Sequence, residues 1–246
     1  MNDLVLALRQ VRFENRAFWR NPPAAFFTVA FPLLFMIIFG VIFGSEAARF
    51  LTPAIIVFAV LTATFTNLAM NITFARDLGI LKRIRGTPLP PWAYLAGRIG
   101  HAVLVALLLV VVVAGFGALV YDVPVPWATL PLIVGILALA AAAFSALGLA
   151  LTGVIPNADA APAIVNIIVL PLLFVSNVFI QMDTAPDWLN TVSRIFPVRH
   201  LADAVIRLYQ PGAEVAVPWT EMAVIAAWGV AGVVAALLFF RWEPRR

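Results

Sequence analysis

The sequence predicts an all-α membrane protein. It comprises six transmembrane helices with cytoplasmic N- and C-termini, an N-terminal amphipathic helix at the membrane surface, and short re-entrant or interfacial helices before the last span. Three observations carry this expectation. Hydrophobic residues make up 63% of the 246 and charged ones 11%, with a mean hydropathy of +1.02, where a soluble domain has about 25% charged residues. The apolar residues form continuous runs of about the 20 residues that a helix needs to cross a bilayer, without the alternation of a membrane barrel strand. Arginine and lysine, finally, fall very unevenly on the segments between those runs.

Residues 3–20 are the first element. At about 100° per residue, Leu4, Leu8, Val11 and Phe18 share one helical face while Arg9, Arg12, Arg16 and Arg20 share the opposite one. Such a helix buries its apolar side at headgroup level; a simple positively charged anchor is the other reading. The same residues lack the apolar core of a cleavable signal, so the first span is expected to remain as a helix. Asn21-Pro22-Pro23 breaks the chain and turns it inward.

The six spans are expected at 24–44, 51–73, 101–121, 130–155, 163–182 and 219–240. They make residues 1–246 a single membrane domain. With the N-terminus inside, one side carries Arg9, Arg12, Arg16, Arg20, Arg76, Lys82, Arg83, Arg85, Arg98, Arg241, Arg245 and Arg246, and the other only Arg49, Arg194, Arg199 and Arg207. That bias sets the orientation. The net charge of +4 therefore reflects topology and anionic headgroups, not nucleic acid. The excess of arginine over lysine, with abundant Ala, Val, Gly and Pro, suggests a GC-rich bacterial genome.

Between spans four and six, small residues recur at i+4 spacing: Ala138, Ala142, Ala146 and Ala150 in one, Gly232 and Ala236 in the other. These are packing faces. The segment 183–218 contains two proline-initiated helices, expected over 187–209. In the second, Val198, Leu201, Val205 and Leu208 form one stripe and Arg199, Asp203 and Arg207 another. Two short amphipathic helices folded onto the outer surface fit this pattern.

Several chemistries are excluded by residue type. A phosphate-binding loop needs a G-x-x-x-x-G-K-[ST] pattern, but the only lysine, Lys82, lies between Leu81 and Arg83. If ATP drives this protein, another chain binds it. With no cysteine there is no thiolate metal site, and His101 and His200 are expected on opposite sides of the membrane. Ser193, His200 and Asp203 lie on the amphipathic helices, as solvated polar residues do. No span has an acidic or basic residue near its middle, which ion-coupled transport normally requires.

Polar residues gather in two spans. Thr64, Asn67 and Asn71 share a face in the second, and Asn166, Ser176, Asn177 and Gln181 run along the fifth. They either line a path for an amphiphilic substrate or bond helices together at about 0.6 kcal/mol each. The densest charged run, residues 76–91, lies between spans two and three and offers a soluble partner a place to hold.

The run Arg76-Asp77-x-Gly79-x-Leu81-Lys82-Arg83-x-x-Gly86-Thr87-Pro88-Leu89, ending in Tyr94-Leu95-x-Gly97-Arg98, resembles the cytoplasmic signature of ABC-2-type exporter permeases. A second similarity runs through Asn157, Asn166, Pro171-Leu172-x-Phe174-x-Ser176-Asn177-x-Phe179, Pro186-x-Trp188-Leu189, Pro197 and Arg207. The chain has Asn177 where the family commonly has Gly, and Gln181 where it has Pro. The resemblance implies that residues 76–98 form a coupling region, with Arg76, Asp77, Gly79, Leu81, Lys82, Arg83 and Arg85 meeting a separate ABC ATPase that holds ATP and Mg. It further implies two permeases, identical or sister chains, with two ATPases in a bacterial cytoplasmic membrane.

On the same resemblance the substrate passes along spans one, two and five by way of Thr64, Asn67, Asn71, Asn166, Ser176, Asn177 and Gln181. The outer helices then form a gate with Pro197, Arg199, His200 and Arg207. The size and the absent outer domain resemble the drug-resistance branch. Export of polysaccharide or a lipid-linked precursor is the alternative, and an ATP-independent transporter or intramembrane enzyme a more remote one.

Overall fold

A computed structural model of the chain describes residues 3–179 and 185–243. The described residues are helical, without strands: α1 (Asp3–Trp19), α2 (Pro22–Phe43), α3 (Ser45–Leu61), a π-helical turn (Thr62–Thr66), α4 (Asn67–Asp77), α5 (Ile80–Arg85), α6 (Pro91–Tyr121), α7 (Leu130–Thr152), α8 (Ala161–Val175), α9 (Asp187–Ser193), α10 (Pro197–Tyr209) and α11 (Trp219–Phe239). Among the described residues, five helical stretches are long and apolar enough to cross a membrane: 22–43, 47–77, 91–121, 130–152 and 219–239.

The sixth expected crossing, 163–182, differs. Its helix α8 has 15 residues, about 22 Å at 1.5 Å per residue, against a hydrocarbon core of about 30 Å. It ends where Asn177 takes a left-handed conformation with φ 61°, which asparagine tolerates better than most residues. Residues 180–184, including Gln181, lie outside the described residues.

Spans two and three are longer than their apolar windows. The second continues through the π turn to Asp77, and the third starts at Pro91, so residues 91–98 of the expected coupling region are the first turns of α6. Helical hydrogen bonding does not stop where hydrophobicity does, and here Pro90 and Gly79 set the boundaries. Likewise, the residues left between the expected spans 24–44 and 51–73 belong to the start of α3. Gly44 alone separates it from α2, at φ 81°.

α3, with every residue from Leu51 to Leu61 buried, runs through the centre of the bundle. The small-residue faces pack as expected. A β-carbon on Gly232 would lie 2.9 Å from the Leu147 backbone nitrogen, and one on Gly229 would lie 3.0 Å from Ala143 Cβ, so α11 lies against α7 nearly backbone to backbone. Gly232→Ala is therefore expected to destabilise the chain by about 1–3 kcal/mol, the usual cost of overpacking. Gly135→Ala, whose β-carbon would meet nothing within 4 Å, should be close to neutral; thermal unfolding of both variants in detergent checks this.

The surface placement expected of residues 187–209 is corrected for α10. α9 is largely exposed, and α10 follows it as the second arm of a hairpin, sunk among α3, α7 and α11. Trp228, midway along α11, donates Nε1–H to the Ile195 carbonyl at the hairpin apex (2.8 Å). The stripe Val198, Leu201, Val205 and Leu208 is fully buried. Of the polar stripe only Arg199 is buried, its Nε 2.7 Å from the half-buried Asp203 Oδ2, while Arg207 is exposed and lies 3.0 Å from Glu221. Ser193 is buried, with its hydroxyl donating to the Asn190 carbonyl.

α1 packs on the bundle through the edge of its apolar face. Its buried side is centred on Gln10, Val11 and Glu14, while Leu8 is exposed. Gly97 and Gly100 of α6 open a groove there, in which β-carbons would come within 2.3 Å of Gln10 and 2.8 Å of Val11. Backbone access decided the docking face more than hydrophobicity did.

Candidate coupling and translocation site

At the end of the bundle that carries α1 and the start of α6, the chain leaves α4, reverses at Gly79 (φ 71°) and forms α5. A left-handed residue at that point favours glycine. Leu81 is fully buried in a small cluster with Leu68, Ile72, Ala75, Tyr94 and Leu149. Lys82, Arg83 and Arg85 are exposed. The helix is thus rooted by one leucine and presents a basic surface. Thr87 closes the segment, its hydroxyl donating to the Ile84 carbonyl (2.7 Å).

Arg76 and Asp77 are placed differently from their neighbours in the motif. Arg76 is buried, and its two terminal nitrogens donate to the Thr152 and Ile155 carbonyls, both at 2.7 Å. These carbonyls lie at and just beyond the end of α7, where helix geometry leaves acceptors unsatisfied. Asp77, 3.6 Å from Arg76 Nε, accepts from the Ala158 N–H. Together they clamp the end of α4 to the end of α7. Of the seven residues expected to form the coupling surface, Arg76, Asp77 and Leu81 hold it in place, Gly79 turns it, and Lys82, Arg83 and Arg85 present it.

The polar residues of the second span divide. Thr64 is fully buried and donates to the Val60 carbonyl (2.6 Å), so its hydroxyl is satisfied within its own helix. Asn67 and Asn71 instead line a cavity of about 290 Å³ between α1, α2, α4 and α6, which also takes in Asn21, Thr28, Arg98 and His101.

At its rim Glu14, 6% exposed, accepts from Gln10 (2.8 Å) and pairs with Arg98 (3.1 Å). Burial holds the Glu14 carboxyl above its ordinary range, with Arg98 and Gln10 pulling the other way. Arg98 also donates to the Tyr94 hydroxyl (3.0 Å) and lies over that ring. Glu14 was not among the expected site residues. An acid among the arginines of that helix, on the same face as Val11 and Phe18, was the available signal.

Asn166 is exposed on α8 and does not join this group. Ser176 is buried, and Asn177 donates to Asp203 Oδ1 (3.0 Å), which ties the end of α8 to α10. Arg199, paired to the same carboxylate, completes this node. Pro197 starts α10 and is buried, His200 Nε2 lies 2.8 Å from the Arg194 carbonyl, and Arg207 pairs with Glu221. Below the hairpin apex lies an apolar cavity of about 400 Å³, walled by Phe65, Phe144, Leu172, Phe196 and Trp228. The expected path residues therefore occupy separate places, a polar cavity at the basic end and a node at the opposite one. Between them the rings of Phe31, Phe35, Phe39, Phe58 and Phe179 form a ladder with centroids 5.0–6.2 Å apart.

Comparison with known proteins places this arrangement. A family model described as ABC-2 type transporter matches residues 7–209, from α1 to the end of α10. The daunorubicin resistance ABC transporter permease protein DrrB1 of Streptomyces coeruleorubidus is 30% identical over 201 residues, covering 76% of this chain and 69% of that protein. The probable multidrug ABC transporter permease YbhR of Escherichia coli is 21% identical over 173 residues, 70% of this chain and 47% of its own length. The chain thus spans about half of that relative. The putative transport permease ycf38 of Porphyra purpurea is 23% identical over 237 residues, 90% of this chain and 79% of that protein. With the match running unbroken through the basic hairpin and both ends of the bundle, the chain belongs to the ABC-2 type transporter family.

Proposed function

We propose that the chain is the membrane-spanning subunit of an ATP-driven exporter that moves an amphiphilic drug or natural product out of a bacterial cell, powered by a separate ATPase. The observation that carries this reading is α5. Its exposed Lys82, Arg83 and Arg85 stand on a buried leucine and are joined to the two longest membrane helices. A force applied there reaches α4 through the two-residue turn Leu78-Gly79 and α6 through the five residues 86–90, two of which are proline.

In this reading the end bearing α1 and α5 faces the cytoplasm, as the arginine asymmetry requires. Two such chains, or this one and a sister chain, assemble with two ATPase subunits that hold ATP and Mg. The substrate moves from the Asn67 and Asn71 cavity along the phenylalanine ladder to the node of Asn177, Asp203 and Arg199, where α10 acts as a gate. The drug-type substrate is supported by the names of two relatives, a daunorubicin resistance permease and a probable multidrug permease, and by the apolar lining of the cavity under the hairpin.

Reconstitution tests the reading. Vesicles holding the chain and its ATPase subunit are expected to move a fluorescent single-chain amphiphile of drug size only when ATP is supplied to the face bearing α5. Transport by the chain alone, without nucleotide, would contradict it.

A further inference from the structure

The polar cavity continues into a second one. A cleft of about 230 Å³ between α2, α3 and α6 shares Thr28, Ala63 and Asn67 with it and extends along Phe27, Phe31, Pro32 and Phe58. The junction is formed by the π turn, which supplies Thr62 and Ala63; such turns often re-aim side chains at binding sites. The result is a polar head region and an apolar tail region in one groove, of the size class that holds small ligands, about 300–1,000 Å³.

The head region is rich in donors. Arg98 uses Nε for both Glu14 and Tyr94, leaving its two terminal nitrogens without a partner among the described residues. His101 Nδ1 is buried without a partner. Asn21 commits only its oxygen, to the Ala24 N–H, and the amides of Asn67 and Asn71 face the same space. Thr28 spends its proton on the Ala24 carbonyl (2.7 Å). The one carboxylate, Glu14, already accepts from two groups. What remains is a set of N–H groups suited to an oxyanion.

We propose that this groove binds a single amphiphile whose head carries a phosphate or carboxylate. The head is held by Arg98, His101, Asn67 and Asn71, and the tail lies between Phe31 and Phe58. The proposal refines the substrate class given above and rests on that reading for what the ligand is carried for. Binding is measured without nucleotide, so its failure is distinct from a failure of transport.

The test is calorimetric titration of the full chain, in a neutral steroid-based detergent, with dodecyl phosphate, dodecyltrimethylammonium and inorganic phosphate. Dodecyl phosphate is expected to saturate one site per chain, the cation to show no saturable binding, and inorganic phosphate to compete poorly for want of a tail. Asn71→Leu, at an exposed position, should weaken dodecyl phosphate about tenfold or more, as loss of a hydrogen bond to a charged group does. The pair Glu14→Gln with Arg98→Gln should do the same, and Phe31→Ala should weaken it by shortening the tail contact.

Displacement by dioctanoyl phosphatidylglycerol would identify a bilayer lipid as the occupant, and resistance to it a single-chain solute. Equal or tighter binding of the cation, full competition by inorganic phosphate, or unchanged affinity in a folded Asn71→Leu chain would each overturn the proposal.

Discussion

Lys82→Glu combined with Arg83→Glu is expected to abolish nucleotide-driven transport while leaving the chain folded and inserted. Both side chains are exposed, and neither takes part in the contacts that hold α5. Surface substitutions of this kind usually change stability by no more than about 0.5 kcal/mol. At an interface the same change replaces two attractions by two repulsions. Coupling energies of close charge pairs run to about 1.5–7 kcal/mol, so a loss of at least about 100-fold in ATP-driven transport is expected. Transport in vesicles gives the first quantity, and thermal unfolding in detergent the second. Full transport by the doubly reversed chain would mean that α5 is not where force enters.

Arg76→Ala should have the opposite profile, with a large structural effect at a residue that presents no surface. The substitution leaves the Thr152 and Ile155 carbonyls without their donor and Asp77 without its neighbouring cation. Removing one partner of such a buried arrangement costs about 3–5 kcal/mol. Arg76→Lys should recover only a fraction, because one ammonium cannot serve two carbonyls as the planar fork does. The measurement is thermal unfolding of the three chains, with limited proteolysis of residues 153–160, which should become cleavable once the clamp opens. Full recovery by lysine would show that charge alone matters there.

These two variants separate what was legible in the sequence from what was not. The exposure of Lys82, Arg83 and Arg85 follows from their place between two apolar runs. Arg76 stands in the same motif but points inward, because the carbonyls that hold it are 76 and 79 residues away. A local pattern carries no trace of such partners.

The stripes of α10 were legible from their spacing, yet the helix lies inside the bundle. Its polar stripe is neutralised by Asp203, Asn177 and Glu221, two of which belong to other elements. For α1 the helix was legible and the edge of its apolar face that docks was not, since that edge was chosen by Gly97 and Gly100 of α6. The small-residue seam between α7 and α11 was legible because both partners carry the same signal. Of the expected path residues, Asn67 and Asn71 share a cavity and Thr64 does not, although all three lie on one helical face. The intervening π turn, which periodic spacing cannot reveal, breaks the register between them.

The central claim is that this bundle is driven through α5 by a nucleotide-binding subunit on the cytoplasmic side. The chain contains no cysteine, so Arg83→Cys introduces a single thiol at the exposed point of that helix. In sealed vesicles of known orientation, a membrane-impermeant maleimide should label this thiol only from the cytoplasmic face. In the assembled transporter, the ATPase subunit should shield the thiol and be captured by a short cross-linker attached to it. Labelling from the outer face, or free labelling without cross-linking in a complex that still transports, would contradict the claim.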